Sequence, residues 1–113
     1  MDHGTIVICR TADGEIRLDV RLENDSVWLT QAQIALLFGT EVPAISKHIR
    51  NIYRSGELER EATISKMEIV RQEGTRLVKR QIETYNLDMV LSVGYRVNSK
   101  NATQFRIWAN RVL

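Results

Sequence analysis

The stretch Val27–Ile52, VWLTQAQIALLFGTEVPAISKHIRNI, commits the chain to a fold that holds two short helices in close contact. Thr30 followed three residues on by Gln33 is a capping box, in which each side chain satisfies a backbone N–H of the other residue. Leu29 precedes the cap and Ile34 takes the fourth helical position, so the two can staple the helix entrance. Ile34, Leu37 and Phe38 make one apolar stripe, and Gly39 supplies the left-handed residue that stops the helix. A second helix starts near Pro43, whose missing N–H is harmless in a first turn. Ile45, Ile49 and Ile52 recur on its buried face, with Ser46, Lys47, Arg50 and Arg54 opposite. Ala35, Gly39 and Ile45 have the spacing at which two helices cross closely. This is a helix-turn-helix pattern, and the exposed side of its second helix has groove-reading chemistry. The same pattern also suits a helix pair that serves only as structure.

Charge is distributed unevenly around this pair. Residues 1–30 hold six acidic residues against three arginines, whereas residues 31–113 hold thirteen bases against eight acids. After Asp88 no acid follows, but Arg96, Lys100, Arg106 and Arg111 do. A basic face of this kind points to an acidic partner, nucleic acid first; the alternative is a merely solvated surface. The 113 residues amount to about one domain. No apolar run approaches the length of a membrane span, and MDHGTIVIC lacks the positive charge of a signal peptide. The expected compartment is therefore the cytoplasm, with no membrane partner. The single cysteine, Cys9, excludes an internal disulfide and offers no zinc cluster; in an apolar strand it reads as a small buried hydrophobe. No metal or other cofactor is expected.

The rest of the chain reads as strands followed by helices. Thr5–Thr11 is a short strand, Asp13-Gly14 a hairpin turn, and Glu15–Leu22 an alternating strand with Ile16, Leu18, Val20 and Leu22 on one face. Asn24-Asp25 turns the chain into a third strand, Ser26–Leu29, whose Trp28 is expected to pack the sheet against the first helix. Gly56 ends the second helix. Thr63–Gln72 and Thr75–Tyr85 form a second hairpin around Glu73-Gly74, with Lys66, Arg71, Arg76, Lys79 and Arg80 along its arms. Such a basic hairpin after a helix pair looks like a wing that lies on phosphates or reaches a minor groove. Its adjacent apolar pairs Ile69-Val70 and Leu77-Val78 call for a bulge or a partly buried hairpin. Asn86 caps a helix expected over Leu87–Val93 and ended by Gly94, with Tyr95–Val97 as a connector. Asn98 or Ser99 starts a last helix with Ala102, Phe105, Trp108, Ala109 and Val112 inward. The chain stops at Leu113 inside that helix, so residues 1–113 read as the N-terminal part of a longer protein.

Three blocks, VWLTQAQIALLFG, ISKHIRNIYRSGEL and YNLDMVLSVGYRVNSKNATQFRIWANRVL, closely resemble the N-terminal region of the RhuM family, bacterial proteins associated with virulence and phage. The resemblance runs from about Ile6 onward. Regions similar to it are also joined to Fic or death-on-curing domains, whose phosphate-binding loop and histidine motif do not occur here. Val97–Leu113 is more faintly similar to the last helix of BRO-type phage antirepressor N-terminal domains. The resemblance implies a cytoplasmic, DNA-associated module of mobile-element origin. The chain departs from the family pattern between the helices: Thr40 stands where relatives place an apolar residue, and Val42 where they often place a polar or basic one. Glu41 would repel phosphate, yet it could accept from cytosine N4.

These readings converge on an α+β, winged helix-turn-helix-like domain that binds double-stranded DNA with sequence specificity, for transcriptional regulation at a mobile-element or virulence locus. Ser46, Lys47 and Arg50 are the expected base contacts. Thr30, Gln31, Arg54, Lys79, Arg80, Lys100 and Arg106 are the expected backbone contacts, Thr30 and Gln31 through the N–H groups of a helix N-terminus. The alternative is a protein-interaction or homodimerisation module that positions a C-terminal effector domain. A nuclease would need clustered carboxylates to hold magnesium, and Glu57, Glu59, Glu61, Glu68, Glu73 and Asp88 form no such motif, so no enzyme activity is expected.

Overall fold

The computed structural model describes residues 5–11, 14 and 16–113. Asp13 of the first turn and Glu15 at the start of the second strand lie outside the described residues. Strands β1 (Thr5–Arg10), β2 (Arg17–Glu23) and β3 (Ser26–Trp28) form an antiparallel meander in that order. Asn24 and Asp25 both take positive φ, 52° and 59°. That is the mirror-image turn whose twist matches the flanking strands. Leu18 and Val20 of β2 are buried and Ile16 and Leu22 pack at the core's margin, so the period-2 alternation reports the inner face correctly.

Helices α1 (Gln31–Phe38) and α2 (Val42–Ser55) follow. The capping box is present: Gln33 N–H donates to Thr30 Oγ1 at 3.1 Å, and Thr30 N–H to Gln33 Oε1 at 3.0 Å. Leu29 and Ile34 on either side of it are both fully buried. Gly39 sits at φ 69°, ψ 40°, and the Thr40 and Gly39 N–H groups donate back to the Ala35 and Leu36 carbonyls. This double closure is a Schellman motif, and only glycine enters its left-handed corner without a Cβ penalty.

After a single turn, α3 (Arg60–Thr63), come the ten-residue strands β4 (Ile64–Glu73) and β5 (Arg76–Tyr85). Their ladder runs without a break from Ile64↔Tyr85 to Glu73↔Arg76. Of the two alternatives expected from the adjacent apolar pairs, the bulge is corrected and the partly buried hairpin holds, with Ile69 and Val78 half-buried. Val70 and Leu77, on the opposite face from Ile69 and Val78, are exposed. The base of the hairpin is anchored by an isolated bridge in which Leu29 and Tyr85 exchange both backbone hydrogen bonds, at 3.0 and 2.8 Å.

Helix α4 runs from Leu87 to Val97 and α5 from Ser99 to Val112. Asn86 caps α4 by accepting from Met89 N–H, and Asn98 caps α5 by accepting from Asn101 N–H. Gly94 does not end α4, contrary to expectation, and Tyr95–Val97 are helical. A Cβ at Gly94 would collide with the buried Phe38 ring and come within 2.8 Å of Ala102 Cβ. The glycine lets α4 approach α1 and α5, at the modest propensity cost of an internal helical glycine. Trp28 also differs from expectation. It lies opposite Arg21 and off the buried face, which Val27 and Leu29 supply, and its indole N–H donates to the Glu23 carbonyl at 2.8 Å. One core joins Val20 and Val27 of the sheet to Ile34, Phe38, Ile45, Ile49, Ile52, Met89, Val93 and Phe105 of the helices. The architecture is α+β and winged helix-turn-helix-like.

Candidate nucleic-acid interface

Burial of Ile45, Ile49 and Ile52 fixes the rotation of α2 about its own axis. Helical periodicity then turns Lys47, Arg50 and Arg54 outward, at steps of three and four residues, as one stripe. All three are exposed, and none enters an ion pair with the described residues. Ser46 is half-buried beside them, and its hydroxyl accepts from Arg50 Nη1 at 3.3 Å. The structure thus brings Ser46, Lys47, Arg50 and Arg54 together. Asn51, one turn beyond Lys47, is exposed on the same side and has no hydrogen-bond partner among the described residues. Asn51 is not among the contacts expected from the sequence, although its i+4 spacing from Lys47 places it there. An asparagine so placed matches the N6 and N7 edge of adenine. His48 is half-buried at the flank.

The N-terminus of α1 is more occupied. The Thr30 hydroxyl and N–H are both engaged in the capping box, which removes Thr30 as a phosphate contact, and Gln31 Nε2 donates to the Tyr85 hydroxyl at 3.1 Å. Only the first backbone N–H groups of the helix remain to receive an anion. They face a groove lined by Thr30, Gln31, Ala32, Val42, Gln81, Ile82 and Glu83. Glu83 in that groove is paired with Arg60 at 2.8 Å.

On the hairpin, Lys79 and Arg80 point to opposite faces because side chains alternate along a strand. Arg80 grips Glu73 with two bonds, 3.0 and 2.7 Å. That bidentate contact raises the Arg80 pKa and lowers that of Glu73. Lys79 is exposed and has no ion pair among the described residues. Lys100 and Arg106 are exposed on α5, which packs chiefly on α4; the fold does not bring them into the α2 stripe. Behind α2, Arg96 of α4 pairs with Glu57, holding that carboxyl below its ordinary range.

Comparison with known proteins bears on one part of this arrangement. Residues 62–113 match the family model described as Virulence protein RhuM family. The match takes in the β4–β5 hairpin, α4 and α5, and it stops short of α1 and α2. The resemblance read from about Ile6 onward is thus supported over the C-terminal half, and nothing supports the likeness to BRO-type domains. No curated protein and no solved structure matches the chain. Among the described residues no group of three or more His, Cys, Asp or Glu could hold a metal ion. No helix of the described residues is long and apolar enough to cross a membrane. The winged helix-turn-helix-like architecture is consistent with nucleic-acid binding in general.

Proposed function

We propose that this chain belongs to the RhuM family and is a sequence-specific double-stranded DNA-binding module, acting in transcriptional regulation linked to a mobile element or virulence locus. The observation that carries the reading is the Lys47–Arg50–Arg54 stripe, turned to solvent by a buried isoleucine face and free of ion pairs among the described residues. In this reading α2 enters the major groove. Arg50 and Lys47 bind guanine O6 and N7, and Ser46 and Asn51 complete the base contacts. Arg54 and Lys79 lie on phosphates, with Lys100 and Arg106 reaching more distant ones; Arg80 joins them by exchanging Glu73 for a phosphate. At the α1 N-terminus Gln31 acts through its main-chain N–H, whereas Thr30, whose N–H and hydroxyl are both held in the capping box, only shapes that end. Phosphate contacts release counterions, so about 4–8 of them give a steep fall of log K with log salt.

The test is selection of bound sequences from a random duplex pool, repeated with Arg50→Ala. A defined motif that loses information at one base pair with the variant supports the assignment. Binding that is flat in salt and indifferent to removal of Lys47 and Arg50 rejects it.

A second reading, a dimerisation or protein-interaction module, draws on β1. Ile6 and Ile8 are 61% and 46% exposed on that edge strand, where an unpaired backbone invites a partner strand. Sedimentation separates the two: a dimer that dissociates with Ile8→Lys while DNA selection yields no motif favours the second.

A further inference from the structure

The tip of the β4–β5 hairpin is chemically unlike a phosphate-gripping wing. Leu77 is 73% exposed, more than any other large apolar side chain of the described residues, and Val70 is 61% exposed. The ladder pairs Gln72 with Leu77 and Val70 with Lys79. Leu77 and Val70 are therefore diagonal neighbours on one face, next to a tip that turns in only two residues, Gly74 and Thr75. Cations surround this apolar point. Arg71, Arg76 and Lys79 are exposed and enter no ion pair among the described residues, while Glu73, the one carboxylate at the tip, is neutralised by Arg80. The ladder is paired without a break to the tip, and the Leu29–Tyr85 bridge fixes its root.

We propose that this tip is a DNA-bending wedge. Leu77, backed by Val70, enters between two base steps from the minor groove, and Arg71, Arg76 and Lys79 hold the flanking phosphates. The inference rests on the DNA-binding reading above. Apolar wedges on minor-groove proteins unstack a step and kink the duplex, and pyrimidine–purine steps yield most readily. A second copy of the tip is a poorer occupant, because it would set Arg71, Arg76 and Lys79 against the same three cations, and Glu73, already held by Arg80 and near Arg71, offers little relief. The wedge adds sequence preference at a step that no side chain reads by hydrogen bonding.

The experiment measures end-to-end energy transfer in labelled duplexes that carry a TA step at varied distance from the selected motif. The full chain is compared with Leu77→Ala, Leu77→Asp and Arg50→Ala. Leu77 is exposed, so its variants keep the wild-type melting temperature. The expected result is a kink of about 20–90° in the wild-type complex, lost in both Leu77 variants although they still bind. Arg50→Ala weakens binding and leaves the bend of each complex unchanged. A straight wild-type complex, or a Leu77→Asp complex that bends fully, overturns the wedge while leaving DNA binding intact. A wild-type dimer that Leu77→Ala dissociates, with no bend, assigns the tip to a second copy and overturns it too. Failure to bind any duplex overturns both this inference and the reading beneath it.

Discussion

Helices α1 and α2 share one core and differ in what their polar side chains do. In α1 they are all engaged: Gln31 on Tyr85, Gln33 on Thr30 and on the Asp19 carbonyl, with Thr30 closing the cap. In α2, Lys47, Asn51 and Arg54 have no hydrogen-bond partner among the described residues, and Arg50 has only Ser46 on its own helix. The first helix uses its polarity to hold the fold; the second does so only near its end, through Tyr53 and Ser55, and keeps its outward stripe available. The lesson is that an exposed polar residue points to a partner only after its internal bonds have been accounted for.

The comparison can be broken at several points. Ile34→Ala in α1 and Ile45→Ala in α2 should each lower unfolding free energy by about 2–5 kcal/mol in urea melts, since both side chains are fully buried; a much smaller loss at Ile45 would mean that α2 is not held by the common core. Arg50→Ala should cost about 1–3 kcal/mol of affinity for the selected duplex with the melting temperature unchanged. Thr30→Ala should do the reverse, removing about 0.5–2 kcal/mol of stability and shifting affinity only as far as folding shifts. Equal effects of the two substitutions on binding would erase the distinction between the helices.

The smallest effects are in pH. Glu57 has its carboxyl pKa lowered by the hydrogen bond from Arg96. The stability from this pair is present above the ordinary carboxylate range and is lost as pH falls through the depressed folded value. Arg96→Met should flatten that acid limb slightly. At the other end, burial pushes the Cys9 thiol up to about 11. The unfolded thiol ionises first, so stability should decline as pH rises from about 9 towards 11, and Cys9→Ala should remove the decline. Alkylation of native Cys9 near neutrality should be slow and should accelerate on unfolding.

Much of the fold was legible because it is set by local rules. The capping box, Gly39, Gly56, the Asn24-Asp25 turn and the isoleucine face of α2 are all short-range signals, and each takes its expected place. Gly94 and Trp28 were misread because their roles are set by distant neighbours. A helix stop and a close-packing glycine are identical in sequence, and only Phe38 and Ala102 distinguish them. The exposed stripe of α2 was readable from the same periodicity that buries its isoleucines. The engagement of Thr30 by the cap was implicit in the motif itself. That of Gln31 depends on Tyr85, 54 residues away, and that of Arg80 on the hairpin register, which adjacent apolar pairs obscured.

The join between Leu29 and Tyr85 combines two main-chain bonds with two side chains buried in the core, and the Tyr85 hydroxyl also accepts from Gln31. The ribbon is thus mounted at its base, by Leu29, Thr84 and Tyr85, far from the residues at its tip. Its outer side chains are thereby released from any duty to the body of the molecule. Substitutions at the tip can therefore change what the ribbon docks on while its mounting angle stays put.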